Sequence, residues 1–178
     1  MNKKIQIGVM GSDADLNFGK SVEEFAQELG KLIAKNDAIL VYGAESDCNS
    51  ISTIAAKSAK DNGGITVGVA CGKSKKIWGD DMPTVLIPSG LGLGGGREFT
   101  LVLSCDVIIA VSGGSGTLTE IAIAYQANIP IVTVDNLGGW AEKLSDTYLD
   151  ARNRLKCVSA KTPQEAVEKA IMLAKRDK

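Results

Sequence analysis

Ser112, Gly113, Gly114, Ser115, Gly116 and Thr117 stand between an apolar run over residues 106–111 and a helical pattern over residues 117–126. Glycines at such a junction free several backbone N–H groups to converge above a helix N-terminus, which suits an anion of phosphate size. Ser115 and Thr117 add hydroxyl donors, and the helix macrodipole favours negative charge by about 0.3–1 kcal/mol. The same string also reads as a glycine-rich turn with a Ser or Thr cap. Glu120 follows in the first turn of that helix. A carboxylate there is acceptable to the dipole yet repels a phosphate beside it, so it suits a sugar or a base, or it is a solvated acid that only stabilises the helix. Close to a glycosidic bond it would stabilise positive charge developing at the anomeric carbon or bond a ribose hydroxyl. Arg97, after Gly94, Gly95 and Gly96, opens another helical pattern, where the dipole disfavours a cation. Its compensating partner is Glu98, Glu120, or a ligand phosphate matched to the guanidinium fork.

These residues need elements to hold them. Residues 4–10 carry Ile5, Ile7 and Val9 and end at Gly11 and Ser12, as a buried parallel strand meets a turn. From Asn17, apolar positions recur at helical spacing through Phe18, Val22, Phe25, Leu29, Leu32 and Ile33. A second strand over residues 38–42 ends at Gly43. Ile51, Ile54, Ala55 and Ala59 mark a second helix, and residues 65–70 a third strand. Residues 72–83 mix lysines, Trp78 and two aspartates, and only residues 84–87 look strand-like before the glycine-rich residues 89–96. Regularity returns with a helix over about residues 97–104, strands over 106–111 and 131–134, and a turn at Gly138, Gly139 and Trp140. Residues 157–159 read as a short last strand, and Pro163 as the first turn of a closing helix capped by Thr162, with Glu165 three residues on.

Strand and helix alternate throughout, with no linker or repeat, so the expected fold is α/β: one Rossmann-like domain over residues 1–178, a doubly wound, mostly parallel sheet with helices on both faces. In such sheets ligands bind beyond the carboxyl ends of the strands, where these glycine turns lie. The same geometry predicts that Arg97 and Glu120 face one cleft, guanidinium near carboxylate.

Composition narrows the partners. The chain has 178 residues, 44% hydrophobic and 23% charged, with a net charge of −1, which provides no field for steering onto nucleic acid. No apolar stretch approaches a membrane span and the N-terminus lacks a signal-peptide pattern, so a cytoplasmic protein is expected, with neither nucleic acid nor membrane as partner. With no histidine and four dispersed cysteines, Cys48, Cys71, Cys105 and Cys157, common zinc sites are hard to build; the thiols are expected to be reduced and mostly buried.

Arg97, the 23-residue step to Glu120 and the intervening LSCDVIIAVSGGSGTLTEI resemble the signature of the lonely-guy phosphoribohydrolase superfamily, often labelled possible lysine decarboxylases. Its form is an arginine-led helix, an apolar strand, then PGGxGTxxE; here Ser112 replaces the proline. The turn after the first strand and the strand ending at Gly43 are also similar. Length, the segment 90–97 and the Gly138-Gly139-Trp140 turn most resemble the branch containing molybdenum-cofactor carrier proteins. The resemblance implies Arg97 and Glu120 as a catalytic pair for hydrolysis of the N-glycosidic bond of a nucleoside 5′-monophosphate. Gly11, Ser12, Gly43, Gly113, Gly114, Ser115, Gly116 and Thr117 then hold a small phosphorylated ligand. A carrier of the molybdenum cofactor or a nucleotide sensor would use the same anion site without chemistry, with the cofactor as cargo and no other cofactor required. The resemblance also implies a homodimer or homotetramer with the Arg97 helix near the interface.

Two further departures from that family change charge. Its second glycine loop becomes Gly43, Ala44, Glu45, Ser46, Asp47, Cys48 and Asn49, adding two carboxylates, and Glu98 follows the arginine where Lys or Asn is usual. Facing solvent, Glu45 and Asp47 are a harmless polar turn. Facing the pocket, they repel adenylates and favour ligands that offer N–H donors or a bridging cation.

Overall fold

The structure is a computed structural model, which describes residues 3–13, 17–79, 83–92, 94 and 96–176. The expected Gly95 and the aspartates at positions 80 and 81 lie outside the described residues.

Seven strands form one sheet: β1 (Gln6–Gly11), β2 (Ile39–Ala44), β3 (Ile65–Ala70), β4 (Val85–Pro88), β5 (Val107–Val111), β6 (Ile131–Val134) and β7 (Cys157–Ala160). Their order is β4-β3-β2-β1-β5-β6-β7, and every pairing is parallel. The central strands are runs of Val, Ile and Ala buried on both faces, as a sheet covered by crossover helices requires. The helices are α1 (Gly19–Lys35), α2 (Ile51–Asp61), α3 (Arg97–Leu103), α4 (Ser115–Gln126), α5 (Gly139–Lys143) and α6 (Pro163–Arg176). Residues of α1, α2 and α6 build the core on one face of the sheet, and residues of α3, α4 and α5 that on the other. The fold is therefore α/β and Rossmann-like, and its sheet is wholly parallel. No helix among the described residues is long and apolar enough to cross a membrane.

Local signals explain the boundaries. Ser50 caps α2 by accepting the Thr53 N–H at 3.1 Å. At α6, Thr162 accepts the Glu165 N–H at 3.1 Å, and the Glu165 carboxylate reaches back to the Lys161 N–H at 2.8 Å. The sequence pattern starts α4 at Thr117; the helix begins two residues earlier, because Ser115 and Gly116 are already in its first turn. Residues 138–140, which the sequence spells as a turn, are the N-cap and first two residues of the five-residue α5. Two of the four cysteines, Cys105 and Cys157, are buried; Cys48 and Cys71 are half-buried, because both lie just past strand ends.

The chain winds outward from β1 through β2 and β3 to β4, then returns to place β5 on the other side of β1. The side on which successive strands are added reverses between β1 and β5, and a crevice opens there above the carboxyl ends of the strands. The turns after β1 and β5 form its two lips.

Candidate ligand cleft

The crevice holds a cavity of about 200 Å³ lined by Gly11 and Asp13 after β1, Gly43 and Glu45 on β2 and its turn, Arg97 and Glu98 on α3, and Gly114, Ser115, Gly116, Thr117 and Glu120 on α4. Arg97 and Glu120 thus share one cleft. Ser12 and Gly113 are not in its lining; they form its support. The Ser12 hydroxyl oxygen accepts the Gly113 N–H at 2.8 Å and its proton goes to Ser112 Oγ at 3.2 Å. The Gly113 N–H, expected among the free donors, is therefore committed to the protein.

Behind the loop, α5 takes up the carbonyls. Trp140 N–H donates to Gly113 O and Ala141 N–H to Ser112 O, both at 2.9 Å. With those carbonyls tied back, the first-turn N–H groups of α4, which no side chain caps, are left at the cleft. Gly113 (φ 96°) has no room for a side chain, since a methyl group there would overlap Thr117. Thr117 is buried over Gly113, so of the two expected hydroxyls only that of Ser115 is exposed. Ser112 adopts φ 55°, a left-handed value that the ring of proline forbids. The Ser112-for-proline departure therefore carries a backbone difference with it.

Arg97 is almost wholly buried; its close partner is Glu45, the expected Glu98 pairs with it only at the 4.0 Å limit, and Glu120 does not pair with it. The Glu45 carboxylate accepts from Arg97 Nη2, and the two side chains are 9% and 5% exposed. Glu98 comes to 4.0 Å from Arg97 Nε, and its Oε1 accepts the Gly94 N–H at 3.1 Å. Nε itself has no acceptor. Burial works against the Arg97 charge, but Glu45 and then Glu120 raise its pKa above the ordinary value. Gly43 is required beneath it, because a methyl group there would overlap Arg97 Nη1. Asp47, by contrast, is exposed and outside the cavity lining. Of the two extra carboxylates, only Glu45 faces the pocket.

Glu120 is buried at the cavity wall, and among the described residues it makes no hydrogen bond and no ion pair within 4.0 Å. Glu120 lies near Arg97 as expected, close enough for each charge to shift the other, but Glu45 takes the guanidinium in the ion pair. Burial pushes the Glu120 pKa to about 8; Arg97 opposes the rise, while Glu98, Glu45 and Asp13 add to it.

Two contributors were not visible in the sequence. Cys71, one residue past β3, lies against Arg97, with burial raising its thiol pKa and the guanidinium opposing the rise. Trp78 bonds through its N–H to the carbonyl of Glu45 at 2.7 Å, so an irregular segment after β3 props the turn that carries the arginine's partner. Neither has a local pattern that would announce it.

A model of the SLOG cluster4 family matches residues 4–167. An uncharacterized protein of Archaeoglobus fulgidus is 34% identical over 127 residues, which cover 70% of this chain and 76% of that one. Among solved structures, the molybdenum cofactor carrier protein of Chlamydomonas reinhardtii superposes with a TM-score of 0.79 at 32% identity, covering 96% of this chain and 98% of that one. The molybdenum cofactor binding protein of the phototrophic bacterium Rippkaea orientalis gives 0.78 at 29%, with the same coverage. The X-ray structure of TM1055 gives 0.83 at 24%, covering 94% and 99%, and supports the fold alone.

Proposed function

The chain belongs to the SLOG cluster4 family, and from that premise we propose that it binds a phosphorylated, nucleotide-like or pterin-like small molecule and serves as a carrier, with the molybdenum cofactor as the cargo its similar solved structures suggest. The ligand's phosphate rests on the uncapped first turn of α4, with Ser115 as hydroxyl donor, and the rest of the molecule lies toward Glu120 and Arg97.

The observation that favours carriage over hydrolysis is the buried Arg97–Glu45 ion pair. An arginine that orients a ligand or a catalytic carboxylate must offer its donors to them, and here the fork is already spent on the protein. Glu120, meanwhile, is largely protonated at neutral pH. A neutral carboxyl group stabilises an oxocarbenium-like centre much less than a carboxylate does.

Hydrolysis of a nucleoside 5′-monophosphate is the second reading, favoured by the convergence of Arg97, Glu120 and the 114–117 loop on one cleft. In it Glu120, once ionised, stabilises the developing charge, and the held phosphate positions the glycosidic bond. Incubation with a panel of nucleoside monophosphates separates the two. Carriage predicts binding without release of base and ribose 5-phosphate; turnover of any member makes the protein a phosphoribohydrolase.

The carrier also self-associates in this reading. Phe99 and Leu103 of α3 are 55% and 59% exposed, and Val85 and Ile87 of the edge strand β4 are also exposed. On α3 the only charged residues, Arg97 and Glu98, are turned inward, so a second copy can bury this face by a two-fold contact without like-charge repulsion.

A further inference from the structure

Among the described residues, four carboxylates, of Asp13, Glu45, Glu98 and Glu120, and one guanidinium, that of Arg97, stand around the cleft. Glu45 is spent on Arg97 and Glu98 on the Gly94 N–H. Glu120 differs: more than nine-tenths buried, it lines the cavity and accepts nothing from the described residues. Its oxygens face the cavity with no donor among the described residues, so a bound ligand that supplied N–H groups could take them up.

Resting on the phosphate-binding reading above, we propose that Glu120 receives the N–H edge of a 2-amino-4-oxopyrimidine ring, the grouping shared by pterins and guanines. A carboxylate has two oxygens that accept two parallel N–H bonds, and this ring offers such a pair, a ring N–H beside an exocyclic amino group. Adenine lacks the pair: its corresponding edge puts an acceptor next to the amino group. The phosphate placed on the first turn of α4 separates a phosphorylated ring of this kind from a plain amidinium cation, which brings no anion to that turn. The high affinity of Glu120 for its proton agrees with a site that waits for donors, since an unpaired charge there is unfavourable until they arrive. Glu120 is in this view the residue that sets ligand specificity.

The test is calorimetric titration of the full chain with guanosine, inosine and adenosine 5′-monophosphates, with dihydroneopterin monophosphate and with guanosine. The expected order is guanosine monophosphate above inosine monophosphate, which keeps only one of the two N–H donors, above adenosine monophosphate. The ends of the series should differ by about ten-fold or more, as a bidentate contact discriminates between bases. Tighter binding of the pterin phosphate identifies a pterin as the source of the ring; tighter binding of the guanine nucleotide identifies a guanine. In E120Q the preference for guanine over adenine should fall to about one-fold. Equal binding of all three nucleotides, or a preference that survives in E120Q, overturns the inference and leaves the phosphate site standing. Binding of guanosine with no gain from its phosphate overturns the phosphate reading and leaves the edge contact standing. No binding by any of the five overturns both. Should E120Q fail to fold, the nucleotide series on the unaltered chain still decides.

Discussion

The Glu45 carboxylate grips Arg97 from the turn after β2, across the cleft floor, in an ion pair closed to solvent on both sides. Charges so buried have little solvation to fall back on, and removing one partner leaves the other uncompensated.

Replacing Glu45 therefore has two effects. E45Q should lower stability by about 3 kcal/mol, the usual cost of breaking a buried pair from one side, measured by urea unfolding. E45G should free the guanidinium and raise the affinity for adenosine monophosphate. D47G, which alters an exposed side chain, should do neither. An unchanged E45G affinity would mean that the pair is structural and does not tune the ligand.

Glu120 should impose a pH dependence on the ligand-free protein. Its folded pKa, near 8, exceeds the ordinary 4.5, so between these values the folded chain holds a proton that the unfolded chain has lost. Stability from this group is fullest below about pH 4.5 and declines as pH rises through 8, because the folded state must then ionise a carboxyl that faces Glu98, Glu45 and Asp13 with only Arg97 in compensation. E120Q should remove the decline, so that its Tm exceeds the wild-type value by several degrees at pH 8.5 and by little at pH 5. Parallel Tm curves for the two proteins would contradict the assignment.

The anion loop was the legible part of the site. A serine and glycine string between a valine- and isoleucine-rich strand and a helix reads the same way in one dimension as in three, because the donors belong to a local turn. The alternation of elements was legible for the same reason. The partner of Arg97 was not: Glu45 lies 52 residues upstream, and only the parallel pairing of β2 with β3, with α3 folded over them, brings it to the guanidinium. The commitment of the Gly113 N–H to Ser12 is likewise a contact across 101 residues. Helix α5 was missed because it is short and opens on two positive-φ glycines, which locally spell a turn.

Ser112 offers a backbone test. S112P forces φ near −65° where the chain uses 55°, and should cost about 3 kcal/mol and abolish phosphate-dependent binding. S112G tolerates the native φ and should fold with near-wild-type stability, losing only the hydroxyl that Ser12 donates to. If S112P folds as stably as the parent, the positive φ is not needed by the loop.

The apolar face of α3 makes the last prediction. The double variant F99E/L103E puts two charges where two helices would meet, and light scattering should report a monomer where the parent is a dimer or larger. A parent that is itself monomeric at high concentration would refute self-association through this face.

The chain has two tryptophans, and the main chain of each is tied to one wall of the cleft: Trp78 to Glu45, Trp140 to Gly113. Trp140 also lies beneath the Lys143 ammonium, 4.8 Å from its ring centre, so its emission is sensitive to small shifts of α5. Intrinsic fluorescence is thus an optical gauge of ligand occupancy that needs no label. W78F and W140F would divide the signal between the arginine wall and the phosphate wall, so that the order in which the two sides respond to a ligand could be timed in a stopped-flow trace.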